Sequence, residues 1–355
     1  MSSYMNSRFR NLSPYTPGEQ PQGRKYVKLN TNESPFPPSR GVLEAVNRSE
    51  AELLRLYSDP TSDPVKTVLA ERYGVEPDQV FVTNGSDEAL NYAFMAFGED
   101  GIAFADVTYG FYGVIADFNG LRSRIIPLEE DMTLDPDKYK GIHMACVIAN
   151  PNAPTGLMVP VDRIAGIAAS DPSHVVIVDE AYVDFGGESA VRLIREYKNI
   201  LVVHTFSKSR SLAGARVGYA IGDEALIRDL ETLKYSSNPY NVNRISMAAA
   251  VAAVKDGEYY RKNCRTIMEN RAWTVEELRK LGFSCRDSLT NFVFAEHPDM
   301  DGRKLYLDLK ERGILVRHFD SERISNYNRI TIGTREQMEF LISTIRELQG
   351  QGGVS

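Results

Sequence analysis

From Ala145 to Gly222 the chain alternates short apolar runs with stretches of helical spacing, and no other feature limits its possible folds as much. The runs are Ala145 to Ala149, Val175 to Val178 and Leu201 to Val203, with helical segments at Val161 to Ala169 and near Ala190 to Tyr197. Runs this short with no polar face must be buried on both sides, which in alternating order means an α/β fold with a largely parallel sheet covered by helices on both faces. Ligands of such sheets bind beyond the C-terminal ends of the strands. The residues that follow each run are therefore where chemistry is expected.

The richest of these positions lies within Ile200 to Gly222. Its apolar start breaks into Thr205-Phe-Ser-Lys-Ser-Arg-Ser, and Val217 to Ile221 reads as a second strand, which leaves Lys208 between two strands. An ammonium is costly to bury, so Lys208 either reaches solvent or carries a lowered pKa that frees its amine to condense with an aldehyde. Ser207 and Arg216 are close in sequence. A hydroxyl and a forked guanidinium suit a phosphate dianion, each charge-assisted bond contributing roughly 1.5 to 3 kcal/mol. The three residues point to a phosphorylated aldehyde, with pyridoxal phosphate the obvious candidate.

Composition is compatible with a large enzyme. A chain of 355 residues, 43% hydrophobic, can bury an extensive core and form one large and one smaller domain. A net charge of −7 argues against nucleic acid as the main partner. Cys146, Cys264 and Cys285 are scattered without Cys-x-x-Cys spacing, as expected for unpaired thiols in a reducing cytoplasm. The polar start has no apolar signal core and no 18-residue apolar run occurs, so neither membrane nor export is expected. The five histidines show no His-Glu-x-x-His spacing, and no metal is expected. Gly-x-Gly-x-x-Gly and Walker-type patterns are also missing.

Three regions follow. Residues 1–40 are rich in Pro, Asn, Ser and Gly and read as an arm without regular structure. Residues 41–257 form the large domain: helical spacing over 41–56, then Tyr57-Ser-Asp-Pro, a helix at Val65 to Tyr73 and a strand at Val80 to Thr83. Asn84-Gly-Ser86-Asp87-Glu88 next reads as a helix start before Ala89, whose open N–H groups could hold an anion. A strand at Ile102 to Ala105 leads to Thr108-Tyr109-Gly-Phe-Tyr112, Asn150-Pro-Asn152-Ala-Pro-Thr-Gly is a turn, and Asp179-Glu-Ala-Tyr182 ends a strand. Alone, Asp179 reads as a strand-end cap, and Tyr57 and Tyr109 as core. Residues 258–350 shift to charged helices and short strands, among them Asn291 to Phe294 and Gly313 to Arg317, and read as a small α+β domain. The Lys/Arg run after Tyr260 reads as a solvated face, and the Gly-rich tail from Gln349 as disordered.

Taken in order, Lys28-Leu-Asn-Thr-Asn-Glu-Ser-Pro-Phe, Asn84-Gly-Ser-Asp-Glu, Asn150-Pro-Asn, Asp179-Glu-Ala-Tyr, Thr205-Phe-Ser-Lys-Ser-Arg-Ser-Leu-Ala-Gly, Arg216 and Arg329-Ile-Thr-Ile-Gly-Thr resemble the motifs of fold-type I pyridoxal phosphate aminotransferases. The resemblance implies a seven-stranded, mostly parallel sheet between helices. It also implies that Lys208 binds the cofactor aldehyde and moves protons, that Asp179 faces the pyridine nitrogen, and that Asn152 and Tyr182 face the phenolic oxygen. Tyr109 would stack on the ring. Ser86, Asp87, Thr205, Ser207 and Arg216 would surround the phosphate, with Tyr57 supplied by a second subunit of a homodimer. Ala153 departs from a frequent asparagine. Within the family the arm, Thr-Tyr-Gly-Phe-Tyr and Arg329 are most similar to the branch that exchanges the amine of histidinol phosphate with glutamate. Arg329 would hold the substrate anion, with Arg317, Tyr15 and Asn32 as further candidates. A threonine-phosphate decarboxylase, an aromatic amino acid aminotransferase and a non-catalytic regulator are the alternatives on this scaffold.

Overall fold

The computed structural model describes residues 4–21 and 23–352. Its strands are, in chain order, β1 (Val27–Lys28), β2 (Val80–Thr83), β3 (Ile102–Ala105), β4 (Ser123–Ile126), β5 (Ala145–Ala149), β6 (Val176–Asp179), β7 (Ile200–Thr205), β8 (Gly218–Gly222), β9 (Ser284–Cys285), β10 (Phe292–Glu296), β11 (Ile314–Leu315), β12 (Arg317–His318) and β13 (Asn328–Thr331). Seven of them form one sheet in the order β2-β8-β7-β6-β5-β3-β4. Only β8 runs antiparallel to its neighbours, so the sheet is of the mostly parallel kind expected.

Successive residues of each central strand point to opposite faces, and the core divides accordingly. Cys146, Ile148, Val176, Val178, Ile200 and Val202 pack on one side, against helices that include Asp63–Tyr73, Val161–Ser170 and Arg244–Lys255. Val147, Ile177, Leu201 and Val203 pack on the other, against Ser86–Phe97, Phe111–Asn119 and Glu224–Ser237. Burial on both faces explains why these strands carry no polar alternation. Edge strand β4 is exposed along Ser123 to Ile125, which is why apolar runs do not reveal it.

A separate apolar cluster lies under the four-stranded sheet β12-β13-β10-β9 and gathers Ile267, Leu278, Val293, Ile330, Leu341 and Ile345. The helix Gly257–Lys280 serves both cores, with Tyr260 in the first and Cys264 and Ile267 in this one.

Several local expectations are corrected. The segment 41–56 is two short helices, Arg40–Ala45 and Arg48–Glu52, because Asn47 starts a new one by accepting a bond from Glu50 N. Ala190–Arg195 is a 3-10 helix, while the helix after Gly85 begins at Ser86 with Asp87 and Glu88 in its first turn, as expected. The arm is not free of regular structure: β1 pairs in parallel with β11, so it is sewn to the C-terminal region. Gly313 to Arg317 is not one strand. β11 pairs with the arm, while β12 pairs with β13. The final helix continues through Arg335–Gly352, so the expected tail disorder fails for residues 349–352, and residues 353–355 lie outside the described residues. Cys146, Cys264 and Cys285 are free and buried. Among the described residues no helix is long and apolar enough to cross a membrane.

Candidate active site

The loops that leave β2, β3, β5, β6 and β7 all emerge at one end of the sheet, and there they enclose a cavity of about 490 Å³. Lys208 and Asp179 both line it, together with Ser86, Asp87, Tyr109, Tyr182, Thr205, Ser207 and Arg216. Lys208 sits in the connection between antiparallel β7 and β8. Its Nζ donates to Thr31 O at 3.2 Å and lies 5.8 Å from the Tyr182 ring centre.

Asp179 ends β6 and is 6% exposed. Burial pushes its carboxyl up to about 6, opposed by the Tyr112 hydroxyl, which donates to Oδ2 at 2.6 Å, and by Ala181 N, which donates to Oδ1 at 3.2 Å. Tyr112 is a neighbour of Asp179 that sequence reasoning read only as core. Its position in the first turn of the helix after β3 would have found it only if the β3–β6 neighbourhood were already known.

The opposite pole of the cavity is cationic and rich in donors. The helix Ser86–Phe97 starts at Gly85, which has φ +80 and no side-chain cap. A Cβ on Gly218 would stand 2.3 Å from Ser86 N, and one on Gly85 would stand 2.5 Å from Arg216 Nη2. The two glycines therefore let β8, the helix start and the guanidinium converge. Arg216, with left-handed φ +53, donates from Nη1 to Ser207 Oγ at 3.4 Å and lies 3.5 Å from Asp87 Oδ2. Ser207 N donates to Thr205 Oγ1, and the Tyr109 hydroxyl to Asp87 Oδ1. Burial raises the Tyr109 hydroxyl well above its usual range. A cradle of open helix N–H groups, a hydroxyl and a guanidinium suits a phosphate dianion.

Other predicted residues are arranged less directly. Asn152 lies behind the cavity, its Nδ2 donating to Val107 O and Thr155 Oγ1 and its Oδ1 accepting from Thr108 Oγ1. Both amide hydrogens are engaged, so the arrangement offers no free donor for a ring oxygen. Asn32, at φ +57, donates to the Tyr182 hydroxyl at 2.9 Å and bonds Thr331 through its backbone N and Oδ1. It joins the arm, Tyr182 and β13 rather than facing the cavity. Tyr15 packs edge-on against Tyr109 and Phe111, which brings the arm over the site.

Arg317 and Arg329 stand directly opposite each other on β12 and β13. Arg329 donates to Asn30 O at 3.1 Å and leaves its buried Nε without a partner. Burial lowers its pKa, and Tyr182, Tyr15 and Tyr109 are close enough to act on its charge. Two guanidiniums in register repel unless an anion lies between them. Tyr57 is elsewhere, 80% exposed and stacked on Tyr240 at 4.6 Å. The fold also brings two of the five histidines, His143 and His174, together with Asp171, just before β5 and β6 and at the end of the sheet away from Lys208.

Comparison with known proteins adds to this geometry. The family Aminotransferase class I and II matches residues 24–345. The chain is 49% identical to a histidinol-phosphate aminotransferase of Marinomonas sp. (strain MWYL1), over 98% of this chain and 100% of that one. It is 45% identical to one of Brachyspira hyodysenteriae, over 98% and 99%. A crystal structure of histidinol-phosphate aminotransferase from Sinorhizobium meliloti in complex with pyridoxal-5'-phosphate superposes with a TM-score of 0.88 at 24% identity, covering 98% of this chain and 99% of that chain, which shows a shared fold.

Proposed function

The chain belongs to the class I and II aminotransferases, and on that premise we propose that it uses pyridoxal phosphate to move an amino group between glutamate and imidazole acetol phosphate, forming histidinol phosphate and 2-oxoglutarate in histidine biosynthesis. The observation that carries this reading is that the Lys208 amine and the Asp179 carboxyl open into one cavity whose lining also holds Ser207 and Arg216. Those residues fit the cofactor. The helix start at Ser86, Ser207 and Arg216 would take its phosphate, the buried Asp179 would face its ring nitrogen, and Lys208 would meet its aldehyde.

Once bound, pyridoxal phosphate supplies an electron sink for the charge left when a bond to the substrate Cα breaks. The protein does the rest. Lys208 Nζ would take the proton from the substrate Cα and serve as the proton carrier of the transfer. Asp179, fixed by Tyr112 and Ala181 N, holds a proton on the ring nitrogen by its negative charge. Tyr182, whose hydroxyl oxygen accepts from Asn32 Nδ2, would donate its own O–H to the phenolic oxygen. Arg317 and Arg329 bind the substrate's phosphate or the glutamate carboxylate, and the arm with Tyr15 excludes water.

The reading includes a cytoplasmic homodimer in which Tyr57 reaches the partner's cofactor phosphate. Leu43, Val46, Leu54, Leu56 and Tyr57 are all exposed, and such apolar exposure within one short segment supports the dimer. The deciding assay supplies glutamate with imidazole acetol phosphate, then phenylpyruvate, and separately threonine phosphate, while histidinol phosphate, phenylalanine and carbon dioxide are measured. Histidinol phosphate should dominate. Faster phenylalanine formation, or carbon dioxide from threonine phosphate, would displace the reading. Lys208→Ala should lose both turnover and the yellow visible band of the bound cofactor.

A further inference from the structure

Behind the lysine loop lies a second cavity, of about 190 Å³, which the proposed chemistry does not use. Four guanidiniums line it, those of Arg72, Arg210, Arg261 and Arg265, against the single carboxylate of Asp184. Like charges are normally dispersed or paired, yet among the described residues no salt bridge joins any of the four arginines to a carboxylate, and Asp184 acts on Arg210 and Arg72 only at longer range. Arg261 and Arg265 lie one turn apart on the helix Gly257–Lys280, a spacing that costs stability when both charges have the same sign. A Cβ at Gly257 would come 3.1 Å from Arg261 Nη1 and 3.8 Å from Arg72 Nη1, so these two forks meet over one glycine.

Arg210 is different from the three rim arginines. It is 7% exposed, its Nη1 has no hydrogen-bond partner, and its Cζ lies 5.3 Å from the Tyr260 ring centre. A buried donor without a partner costs about 1 to 3 kcal/mol. Asp184 cannot neutralise the set, and one of its oxygens is already engaged by the Ser209 hydroxyl.

We propose that this cavity is a binding site for a phosphate-class dianion, either free phosphate or the phosphate of a small monoester. Guanidinium forks match tetrahedral oxyanions by paired N–H bonds, and the volume admits one such group rather than a nucleotide. Ser209 and Arg210 directly follow Lys208. An anion held there ties the lysine loop to the helix Gly257–Lys280 and stiffens the wall that carries the amine.

The test uses the cofactor-loaded protein, so that the front phosphate cradle is filled. Inorganic phosphate and glycerol phosphate are titrated calorimetrically into wild type and into Arg261→Gln/Arg265→Gln, whose changes lie on the solvent rim. One binding event should weaken by at least roughly tenfold in the double variant, while any binding at Arg317 and Arg329 is unchanged. Tighter binding of glycerol phosphate assigns the site to organic monoesters, and preference for inorganic phosphate assigns it to the free ion. Independently of any variant, phosphate should slow phenylglyoxal labelling of Arg261 and Arg265 in wild type, read by peptide mass spectrometry. Unchanged labelling, or identical isotherms for the two proteins, would overturn the proposal.

Discussion

Asp179 is the residue at which burial and the proposed function pull in opposite directions. Its carboxyl is pushed up to about 6 from 3.8, chiefly by burial. A folded pKa above the unfolded one means that ionising the group costs stability. The penalty is missing below the unfolded value, grows between about pH 4 and 6, and is complete above that, reaching about 3 kcal/mol for a shift of about two units. In cofactor-free protein, Asp179→Asn should therefore melt at a higher temperature than wild type above about pH 7 and at the same temperature below about pH 4. The same substitution should lower kcat on the order of 10²-fold or more, because an amide has no charge with which to hold the ring proton. Equal melting midpoints across the whole range would remove the burial argument. Tyr112→Phe takes away the one side-chain donor to that carboxylate among the described residues. It should raise the Asp179 pKa further, seen as a shift of the acid limb of the cofactor's visible spectrum to higher pH.

At the scale of elements, two close approaches decide how well the site can work. The first is between β8 and the start of the helix Ser86–Phe97, where Gly218 leaves no room for a Cβ beside Ser86 N and the Gly85 carbonyl carbon. The obstacle is backbone, which cannot swing aside like a side chain. Gly218→Ala should keep the fold but weaken cofactor binding by roughly tenfold or more, measured by titrating pyridoxal phosphate into the cofactor-free variant. The second is the β12–β13 register that sets Arg317 opposite Arg329. Such a like-charge pair costs roughly 0.2 to 1 kcal/mol when no anion lies between the two. Arg317→Leu should accordingly raise the ligand-free melting midpoint slightly and increase KM for the phosphorylated substrate roughly tenfold, with little change in kcat. A fall in both stability and kcat would mean that Arg317 is structural.

At the scale of the whole molecule, the proposed dimer makes each site a shared object. Tyr57 stands on the surface away from its own chain's cavity, in a run of exposed apolar side chains. If it serves the partner, Lys208→Ala and Tyr57→Ala should each be impaired alone, yet unfolding and refolding them together should restore activity to about a quarter of the wild-type level, since half the dimers are mixed and each mixed dimer holds one complete site. No gain on mixing would place Tyr57 outside the site. Leu54→Glu with Leu56→Glu should give monomers by sedimentation, because two charges would have to be desolvated at the interface.

What the sequence determined by itself was whatever depends on local pattern. Doubly buried strands announce themselves because no residue in Ala145–Ala149 or Ile200–Thr205 needs to face water over most of its length. The lysine loop stands out because a polar break between such strands has to surface at the end of the sheet. Family motifs led to Arg216, Asp179 and Arg329 in the same way, each a short run with its neighbours in sequence. Tertiary structure alone decided the contacts between distant segments. It brings Tyr112 to Asp179, Asn32 to Tyr182, Arg317 opposite Arg329, and β1 of the arm beside β11. It also turns Asn152 away from the cavity toward Val107 and Thr155. Those outcomes rest on which strands become neighbours and in what register, and register is set by the packing of whole faces rather than by the residues of any one segment.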